Sequence, residues 1–369
     1  MPATLVIHSG TYKTGSTAIQ GFLARAAARG RLPESVIYPE IGRHLSGAPH
    51  TNLFAQLVDG PGFSPEFGTW EDLVQLMRDR PDSTVVVSSE HLSTLGGEQI
   101  RRIGAYAERA GAQVRWIHYL RDQPSLYNAF YVERLMVMRP EFLPRLRRPF
   151  EEFRDWSPID MGFLDYGRFL GQIRAAIPGV DLRARPMVRS MLHEGDVVAD
   201  FCRTAGIEID RGAVADANVG RGWRTVETAR RLTRYVAQAR LGDRLDGAPD
   251  KHVLRLRWIG LVRRELTVAT TSLGWNTASA NYLTPRFRDT LVAEYHADNL
   301  RVGKVGGERW ADLVADTPAK EYNIGSFSTV RADRFRRVLD QVLPVLFTMP
   351  PEIDRRLQGR RAAAQSRPR

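Results

Sequence analysis

The chain has 369 residues, a formal net charge of +11, a hydrophobic content of 43% and a charged content of 26%. These proportions are ordinary for a globular protein with a large core, and the length fits one enlarged α/β domain or one domain with a helical appendage. The single cysteine, Cys202, excludes an internal disulfide framework, and no apolar stretch approaches the ~20 residues that span a bilayer.

The two ends of the chain and its net charge predict where the protein is located and which kinds of partner it binds. Residues 1–7 form too short an apolar run for a secretory signal and lack a basic leader, so we expect a cytoplasmic protein. The excess of positive charge suits a polyanionic cofactor, an acidic acceptor or an anionic membrane surface. Residues 351–369 concentrate arginines, and we expect a basic, disordered tail for which peripheral contact with an anionic membrane is one candidate role.

Five short runs rich in β-branched residues alternate with helical patterns, over residues 4–8, 35–38, 84–88, 114–120 and 181–185. This alternation predicts a mostly parallel sheet covered by helices on both faces. A further helix is predicted over residues 194–205, ending at Gly206. Ligands of such sheets bind beyond the carboxyl ends of the strands, which predicts one cleft shared by the loop after the first strand, residues 88–91 and Arg121.

The loop after the first strand is a predicted phosphate site, and residues 8–20 read HSGTYKTGSTAIQ. A glycine-bearing turn before a helix favours anions, because the first backbone N–H groups of the helix carry the positive end of its dipole. Gly10 and Gly15 allow a sharp turn and close approach of the backbone to a phosphate. The loop also carries four hydroxyl groups and one positive charge, on Thr11, Thr14, Ser16, Thr17 and Lys13.

The order of residues in this loop distinguishes it from the G-x-x-x-x-G-K-[ST] loop of nucleoside triphosphatases, where lysine directly follows the second glycine. Here Lys13 precedes Gly15, and no later Asp at an evident strand end offers a magnesium ligand. The order Lys-Thr-Gly-Ser-Thr after a first strand resembles the 5′-phosphosulfate loop of the sulfotransferases that use 3′-phosphoadenosine 5′-phosphosulfate (PAPS). The continuation Ala-Ile-Gln resembles their bacterial, carbohydrate-type branch.

The resemblance implies a three-layer, P-loop-like nucleotide-binding fold with a central, mostly parallel five-stranded sheet and extra C-terminal helices. It also implies in-line transfer of a sulfuryl group from PAPS without a metal ion. Lys13 would neutralise charge on the leaving phosphate. The residues that would hold the 5′-phosphosulfate are Gly10, Thr11, Tyr12, Lys13, Thr14, Gly15, Ser16 and Thr17.

A general base is expected after the third strand, where residues 88–91 read Ser-Ser-Glu-His. Sulfuryl transfer needs a group that accepts the proton of the acceptor hydroxyl, and a carboxylate at the carboxyl end of a strand suits that task. Glu90 is therefore our candidate. Related sulfotransferases use either a glutamate or a histidine, so His91 and His50 remain alternatives.

Residues 118–135, which read HYLRDQPSLYNAFYVERL, resemble the family's 3′-phosphate segment. Arg121 matches the arginine that ends the fourth strand in that family, and its forked donors suit a phosphate dianion. The family's serine falls on Ala129 at the usual spacing, and Ser125 could replace it from one turn earlier. By the same resemblance, a basic loop over residues 218–224 would bring Arg221 to the 3′-phosphate and adenine.

The second half of the chain is dominated by helical patterns, over residues 251–266, 285–301, 308–315 and 332–347. We expect residues 1–240 to form a PAPS-binding core and residues 241–350 a helical part packed on it as one domain. Residues 241–250 have the composition of a linker. Residues 270–283 form a predicted loop whose aromatic and amide side chains suit the face of a sugar.

These observations predict an enzyme, a PAPS-dependent sulfotransferase whose acceptor is a hydroxyl of a carbohydrate, a glycolipid or a small molecule, with no nucleic-acid partner. One alternative is an ATP-dependent phosphotransferase of the P-loop type, which magnesium dependence would favour. The other is a non-catalytic nucleotide- or polyanion-binding protein, which salt-sensitive binding without product formation would favour.

Overall fold

The computed structural model describes residues 2–44, 47–157, 161–208, 222–245, 251–275, 279–318, 320–324, 332–351 and 354. Three of the sequence-based expectations fall outside this part of the chain. They concern Arg221, residues 246–250 of the expected linker, and the expected tail beyond residue 354.

The chain divides into two compact units that interleave along the sequence. The first unit comprises Met1–Leu126, Ile159–Asp216 and Arg288–Pro318, and the second comprises Tyr127–Pro158, Ala217–Phe287 and Ala319–Arg369. The division expected from sequence kept residues 1–240 together, whereas residues 127–158 and 217–240 belong to the second unit and residues 288–318 to the first.

A five-stranded, all-parallel sheet forms the centre of the first unit, in the order β2-β3-β1-β4-β5. Its strands are β1 (Thr4–His8), β2 (Val36–Ile37), β3 (Thr84–Ser88), β4 (Gln113–Leu120) and β5 (Asp181–Pro186). An antiparallel hairpin joins β6 (Lys304–Val305) to β7 (Glu308–Arg309). The five predicted strands are confirmed to about one residue at each end, because buried parallel strands are continuous apolar runs.

The α-helices of the described part are α1 (Ser16–Ala28), α2 (Thr51–Leu57), α3 (Trp70–Asp79), α4 (Gly97–Arg109), α5 (Gln123–Met136), α6 (Phe153–Trp156), α7 (Tyr166–Ala176), α8 (Val197–Ala205), α9 (Trp223–Ala239), α10 (Leu241–Arg244), α11 (Lys251–Ser272), α12 (Pro285–Val302), α13 (Trp310–Asp316) and α14 (Ala332–Phe347). Short 3-10 segments cover Pro65–Phe67, Glu90–Thr94, Pro140–Phe142, Arg145–Arg147, Phe150–Glu152, Met161–Leu164, Arg189–Met191 and His193–Gly195. Each helix within these ranges is too short or too polar to cross a membrane.

Several helix boundaries differ from the sequence-based expectation. The helix predicted over residues 194–205 begins at Val197, because Asp196 caps it by accepting a 2.8 Å hydrogen bond from the Ala199 backbone N–H. It ends at Gly206, as predicted, in the left-handed conformation. The start of the expected linker is helical in α10, α11 extends into the loop predicted over residues 270–283, and residues 308–309 are a strand.

Helices pack on both faces of the sheet, which gives three layers. Tyr119 of β4 lies in a core with Leu23 of α1 and Phe201 of α8. Trp116 points to the opposite face, because successive side chains of a strand alternate, and its ring lies 6.3 Å from that of Phe169 in α7. Helix α7 packs against α4, and α4 packs against α3.

The carboxyl end of β1 lies where the connections of the sheet change direction, since β1 sits between β3 and β4. The helix that follows β1 packs on the α8 face of the sheet, whereas the helix that follows β3 packs on the α7 face. Chains that leave neighbouring strands toward opposite faces open a space between them, and this is where α/β sheets bind ligands. The fold therefore brings the loop after β1 to the expected location.

Residues 288–318 join the first unit through buried polar contacts. The Gln123 amide donates to Asn299 Oδ1 at 2.6 Å, and the Trp310 indole N–H donates to the same oxygen at 2.9 Å. The second unit is held differently, by packing of α9 and α14 on α11 and by a hydrogen bond of 2.8 Å from the Trp258 indole to the Val345 carbonyl.

Candidate functional site

The loop between β1 and α1 holds two residues in the left-handed region. Lys13 has φ 65° and Gly15 has φ 82°. A non-glycine residue pays about 1 kcal/mol for this conformation, and such strain concentrates at ligand sites. Gly15 is also the N-cap of α1, and it has no side chain to cap the N–H groups of Ser16 and Thr17, whereas the Ala18 N–H donates to the Gly15 carbonyl at 2.9 Å.

Hydrogen bonds fix the loop to the strand ends beneath it. The Ser9 hydroxyl lies 3.0 Å from His118 Nδ1, and the Thr11 backbone N–H donates to the Tyr119 carbonyl at 3.4 Å. Within the loop, the Thr14 hydroxyl donates to the Thr11 carbonyl at 2.5 Å. The loop is therefore shaped before any ligand arrives, which reduces the ordering cost of binding.

Buried polar atoms without a partner surround the start of the loop. In the described ranges, His8 Nε2, Ser16 Oγ and Ser89 Oγ are buried and have no hydrogen-bond partner. A Cβ on Gly10 would lie 2.7 Å from Thr14 Oγ1, 3.1 Å from His8 Nε2 and 3.4 Å from Ser16 Oγ. Only glycine fits there without displacing a neighbour. Buried polar groups normally find partners, so these atoms mark a place where a polar ligand or water would bind.

The histidine beneath the loop is neutral. Burial, with a contribution from nearby His118, lowers the pKa of His8 to about 3. His8 Nδ1 lies 2.7 Å from the Ser88 hydroxyl, which joins the ends of β1 and β3. A neutral imidazole presents one donor and one acceptor, so His8 can accept or donate one further hydrogen bond toward the loop.

Arg121 lies directly after β4 and contacts the loop. Its Nη1 donates to the Lys13 carbonyl at 3.2 Å, and its own carbonyl accepts from the Tyr166 hydroxyl at 2.7 Å. Burial lowers the pKa of Arg121, but an arginine titrates so far above neutrality that the side chain keeps its charge. A guanidinium shielded from water attracts an anion more strongly than an exposed one.

Glu90 begins the 3-10 segment that follows β3, and its side chain is half-buried. The Gln20 amide of α1 donates to Glu90 Oε2 at 3.1 Å. Helix α1 directly follows the loop of residues 9–15, so one element bears on both the loop and the orientation of the carboxylate. Such an arrangement suits a general base, which must be held within reach of the proton it accepts.

Aromatic rings line the space next to Glu90. The Tyr12 hydroxyl lies 3.0 Å from His91 Nδ1, so one of the loop's own side chains contacts the residue after Glu90. The ring centroids of Phe54 and His91 are 5.2 Å apart, as are those of Tyr12 and Phe163. These rings form an apolar wall beside a carboxylate and a phosphate-type loop.

His50 has a different environment from Glu90 and His91. It is fully buried, its Nδ1 accepts from the Ser88 backbone N–H at 3.1 Å, and its Nε2 lies 3.2 Å from the Pro39 carbonyl. Burial lowers the pKa of His50 to about 3, against the opposing hydrogen bonds to the backbone. Both ring nitrogens are occupied by backbone atoms, which gives His50 a structural role and leaves Glu90 and His91 as candidates for the base.

The fold brings most of the predicted site residues to one rim of the first unit, namely residues 10–17, Glu90, His91 and Arg121. Ser125 lies in the first turn of α5, where its backbone N–H donates to Asp122 Oδ1 at 2.8 Å. Asp122 therefore caps α5 instead of forming a plain surface ion pair with Arg121.

Two residues near the site were not predicted to act there. Gln20 is one turn along the same face of α1 as Ser16, and this i,i+4 spacing could have indicated it. Tyr166, at the start of α7, carries no signal in the sequence that points to the Arg121 carbonyl. No protein-family model matches this sequence, and no curated protein or solved structure is significantly similar to it.

Proposed function

We propose that this chain is a PAPS-dependent sulfotransferase built on a P-loop-like nucleotide-binding unit. The observation that carries the proposal is the strained, preshaped loop of residues 9–15, with a glycine N-cap and buried polar atoms that lack partners. In the reaction, the acceptor hydroxyl oxygen bonds to sulfur while the bond between sulfur and the bridging phosphate oxygen breaks. The products are a sulfate ester, adenosine 3′,5′-bisphosphate and the hydroxyl proton.

The loop would bind the 5′-phosphosulfate of the donor. In such loops the N–H groups at the helix start and nearby hydroxyls face a dianionic group, and here the hydroxyls of Ser16 and Thr17 are the candidates, since that of Thr14 donates to the Thr11 carbonyl. Lys13 would neutralise the negative charge that develops on the bridging oxygen. This oxygen carries more negative charge in the transition state than in the ground state. Fixed hydrogen-bond donors directed at it would therefore contribute most of the rate acceleration.

Arg121 would bind the 3′-phosphate. Its forked donors match two phosphate oxygens, and its partial burial strengthens the attraction. The Ser125 hydroxyl, in the first turn of α5, is the candidate second donor, since Ala129 at the family's usual position has none. The bond from Arg121 to the Lys13 carbonyl links the expected 3′-phosphate donor to the phosphosulfate loop.

Glu90 would accept the proton of the acceptor hydroxyl, with Gln20 holding its carboxylate in place. His91 is the alternative base, in contact with Tyr12 of the loop. The rings of Tyr12, Phe54 and His91 would hold the carbon skeleton of the acceptor, and aromatic faces suit the C–H surface of a sugar. The acceptor class is accordingly a carbohydrate, a glycolipid or another small molecule with a hydroxyl.

Calorimetric titration with adenosine 3′,5′-bisphosphate, beside AMP and ATP–magnesium, tests the proposal. We expect tight binding that requires the 3′-phosphate, and at least a tenfold loss in Arg121→Lys, which keeps the charge but loses the forked donors. Arg174→Lys is the matched control, since Arg174 is exposed on α7. Preference for ATP–magnesium would instead favour a phosphotransferase, and binding of none of the three would overturn the proposal.

A further inference from the structure

A second basic cavity lies at the far edge of the sheet in the first unit, next to β5 and away from the loop after β1. It has a volume of about 540 Å³, is open to solvent on one side, and is lined by β5, the segment 191–193, α8 and the β6–β7 hairpin. This volume falls in the range of about 300–1,000 Å³ that small-molecule sites occupy.

The lining of this cavity carries more positive than negative charge. Its ionic side chains, apart from His193, are Arg183, Arg185, Arg203, Lys304 and Asp200, which gives a net charge of +3. Asp200 is already satisfied, because Arg185 Nε donates to its Oδ2 at 3.0 Å and Tyr119 donates to the same oxygen at 2.8 Å. Of the other lining cations, Arg183 is paired with Asp181, which leaves Arg203 and Lys304 without a carboxylate among the lining residues.

Arg183 is engaged by the protein itself. Its Nε and Nη2 donate to the two oxygens of Asp181 at 2.9 Å and 3.0 Å, and its Nη1 donates to the Thr204 carbonyl at 3.1 Å. Within the described ranges, Arg203 and Lys304 have no carboxylate partner, and Arg203 instead donates to His193 Nδ1 at 2.8 Å. A cluster of cations that the protein itself leaves unbalanced favours an anionic ligand.

The backbone around the cavity supports a built site. Glu194 and Gly195 are consecutive residues with φ 54° and φ 67°, a conformation that an L side chain such as glutamate rarely adopts. Gly306 and Gly307 form the two-residue turn of the hairpin with φ 57° and φ 97°, which both fit only glycine readily. The first pair follows His193 and the second follows Val305, so both turns lie in segments that line the cavity.

We infer that this cavity binds a phosphate or sulfate monoester carried by a sugar-sized organic molecule. The cations of Arg203 and Lys304 would bind the oxyanion, Arg203 through its forked guanidinium and Lys304 through its ammonium group. Apolar side chains of the lining would contact the organic part, namely Leu182, Ala184, Met191, Leu192 and Val305. A bare inorganic anion would fill only a small part of the cavity. The inference does not depend on the function proposed for the loop.

The test is calorimetric titration of ribose 5-phosphate into the Lys13→Ala protein, which weakens binding at the loop, so that the affinity lost in variants of the lining is assigned to the β5-edge cavity. We expect binding that weakens with added salt, and that weakens about tenfold in each of Arg203→Gln and Lys304→Gln, because each loses one charge-assisted hydrogen bond. Arg174→Gln removes an exposed cation of α7 and should leave the affinity unchanged.

Absence of binding in the Lys13→Ala background would overturn the inference, and so would equal weakening in Arg174→Gln, since that would indicate a diffuse surface charge. Lys304 lies on the exposed hairpin, so Lys304→Gln decides the outcome even if Arg203→Gln impairs folding. Inorganic phosphate is the second probe. Equal affinity for inorganic phosphate and ribose 5-phosphate would overturn the inference that the cavity also contacts the organic part of the ligand.

Discussion

Replacement of Gly10 by alanine should distort the phosphate loop. The new Cβ would lie 2.7 Å from Thr14 Oγ1 and 3.1 Å from His8 Nε2, and the first distance is shorter than side chains tolerate. Thr14 cannot move its hydroxyl without losing the 2.5 Å hydrogen bond to the Thr11 carbonyl. Loss of that bond is worth about 1 kcal/mol and overpacking about 1–3 kcal/mol, so the free energy of unfolding should fall by about 2–4 kcal/mol.

Urea unfolding and titration with adenosine 3′,5′-bisphosphate would measure the two consequences of Gly10→Ala. We expect at least tenfold weaker binding, because the loop can no longer hold the shape that fits the ligand. Gly171→Ala is the matched control, since a Cβ on Gly171 of α7 meets nothing within 4 Å. That change should stabilise the helix by about 0.5–1 kcal/mol. Wild-type stability and affinity in Gly10→Ala would refute the reasoning.

Three further predictions concern catalysis and pH. Lys13→Ala should nearly abolish sulfuryl transfer from PAPS. The free energy of unfolding in urea should change little, because the Lys13 side chain is exposed. An active variant would contradict the mechanism. Glu90→Gln should lower kcat about 10²–10⁴-fold without changing the affinity for adenosine 3′,5′-bisphosphate, whereas His91→Gln should leave kcat nearly unchanged. A large fall of kcat in His91→Gln alone would assign the base to His91. Stability should also fall in acid, because three buried histidines have a pKa near 3 in the folded state and about 6.5 when unfolded, so protonation favours the unfolded chain. Their contribution is complete above about pH 6.5 and is lost as the pH falls toward 3, at about 1.4 kcal/mol per histidine and pH unit. The histidines are His8, His50 and His118. A flat profile of urea midpoints between pH 7 and 5 would contradict this prediction.

The sheet could be predicted from sequence because its strands are buried on both faces. Val85, Val86 and Val87 form one such strand, whose predicted and observed ends coincide. Its location then fixes where Glu90 emerges, since ligands bind beyond the carboxyl ends of parallel strands. The shape of the loop could also be predicted from its glycines. Gly10 stands where a Cβ would clash with Thr14, and Gly15 has a positive φ that glycine adopts readily.

Contacts that depend on strand register could not be predicted. Gln20 and Glu90 are 70 residues apart in sequence, and His8 and Ser88 are 80 apart, yet each pair shares a hydrogen bond because β1 and β3 are neighbours in the sheet. The sequence gives strand positions but not this order. The same limit explains why residues 288–318 join the first unit, since nothing local to Asn299 indicates that it meets Gln123.

The glycine N-cap of α1 has a consequence for how this loop would respond to mutation. The groups at the start of the helix that would bind an anion under the proposed function are main-chain N–H groups, and every residue except proline supplies the same group. Exchanging one side chain for another therefore leaves this part of the binding energy in place. A conventional alanine scan would assign the loop's contribution to Lys13 and the hydroxyls alone. Substitutions that alter the path of the backbone, at Gly10 and Gly15, would reveal the rest.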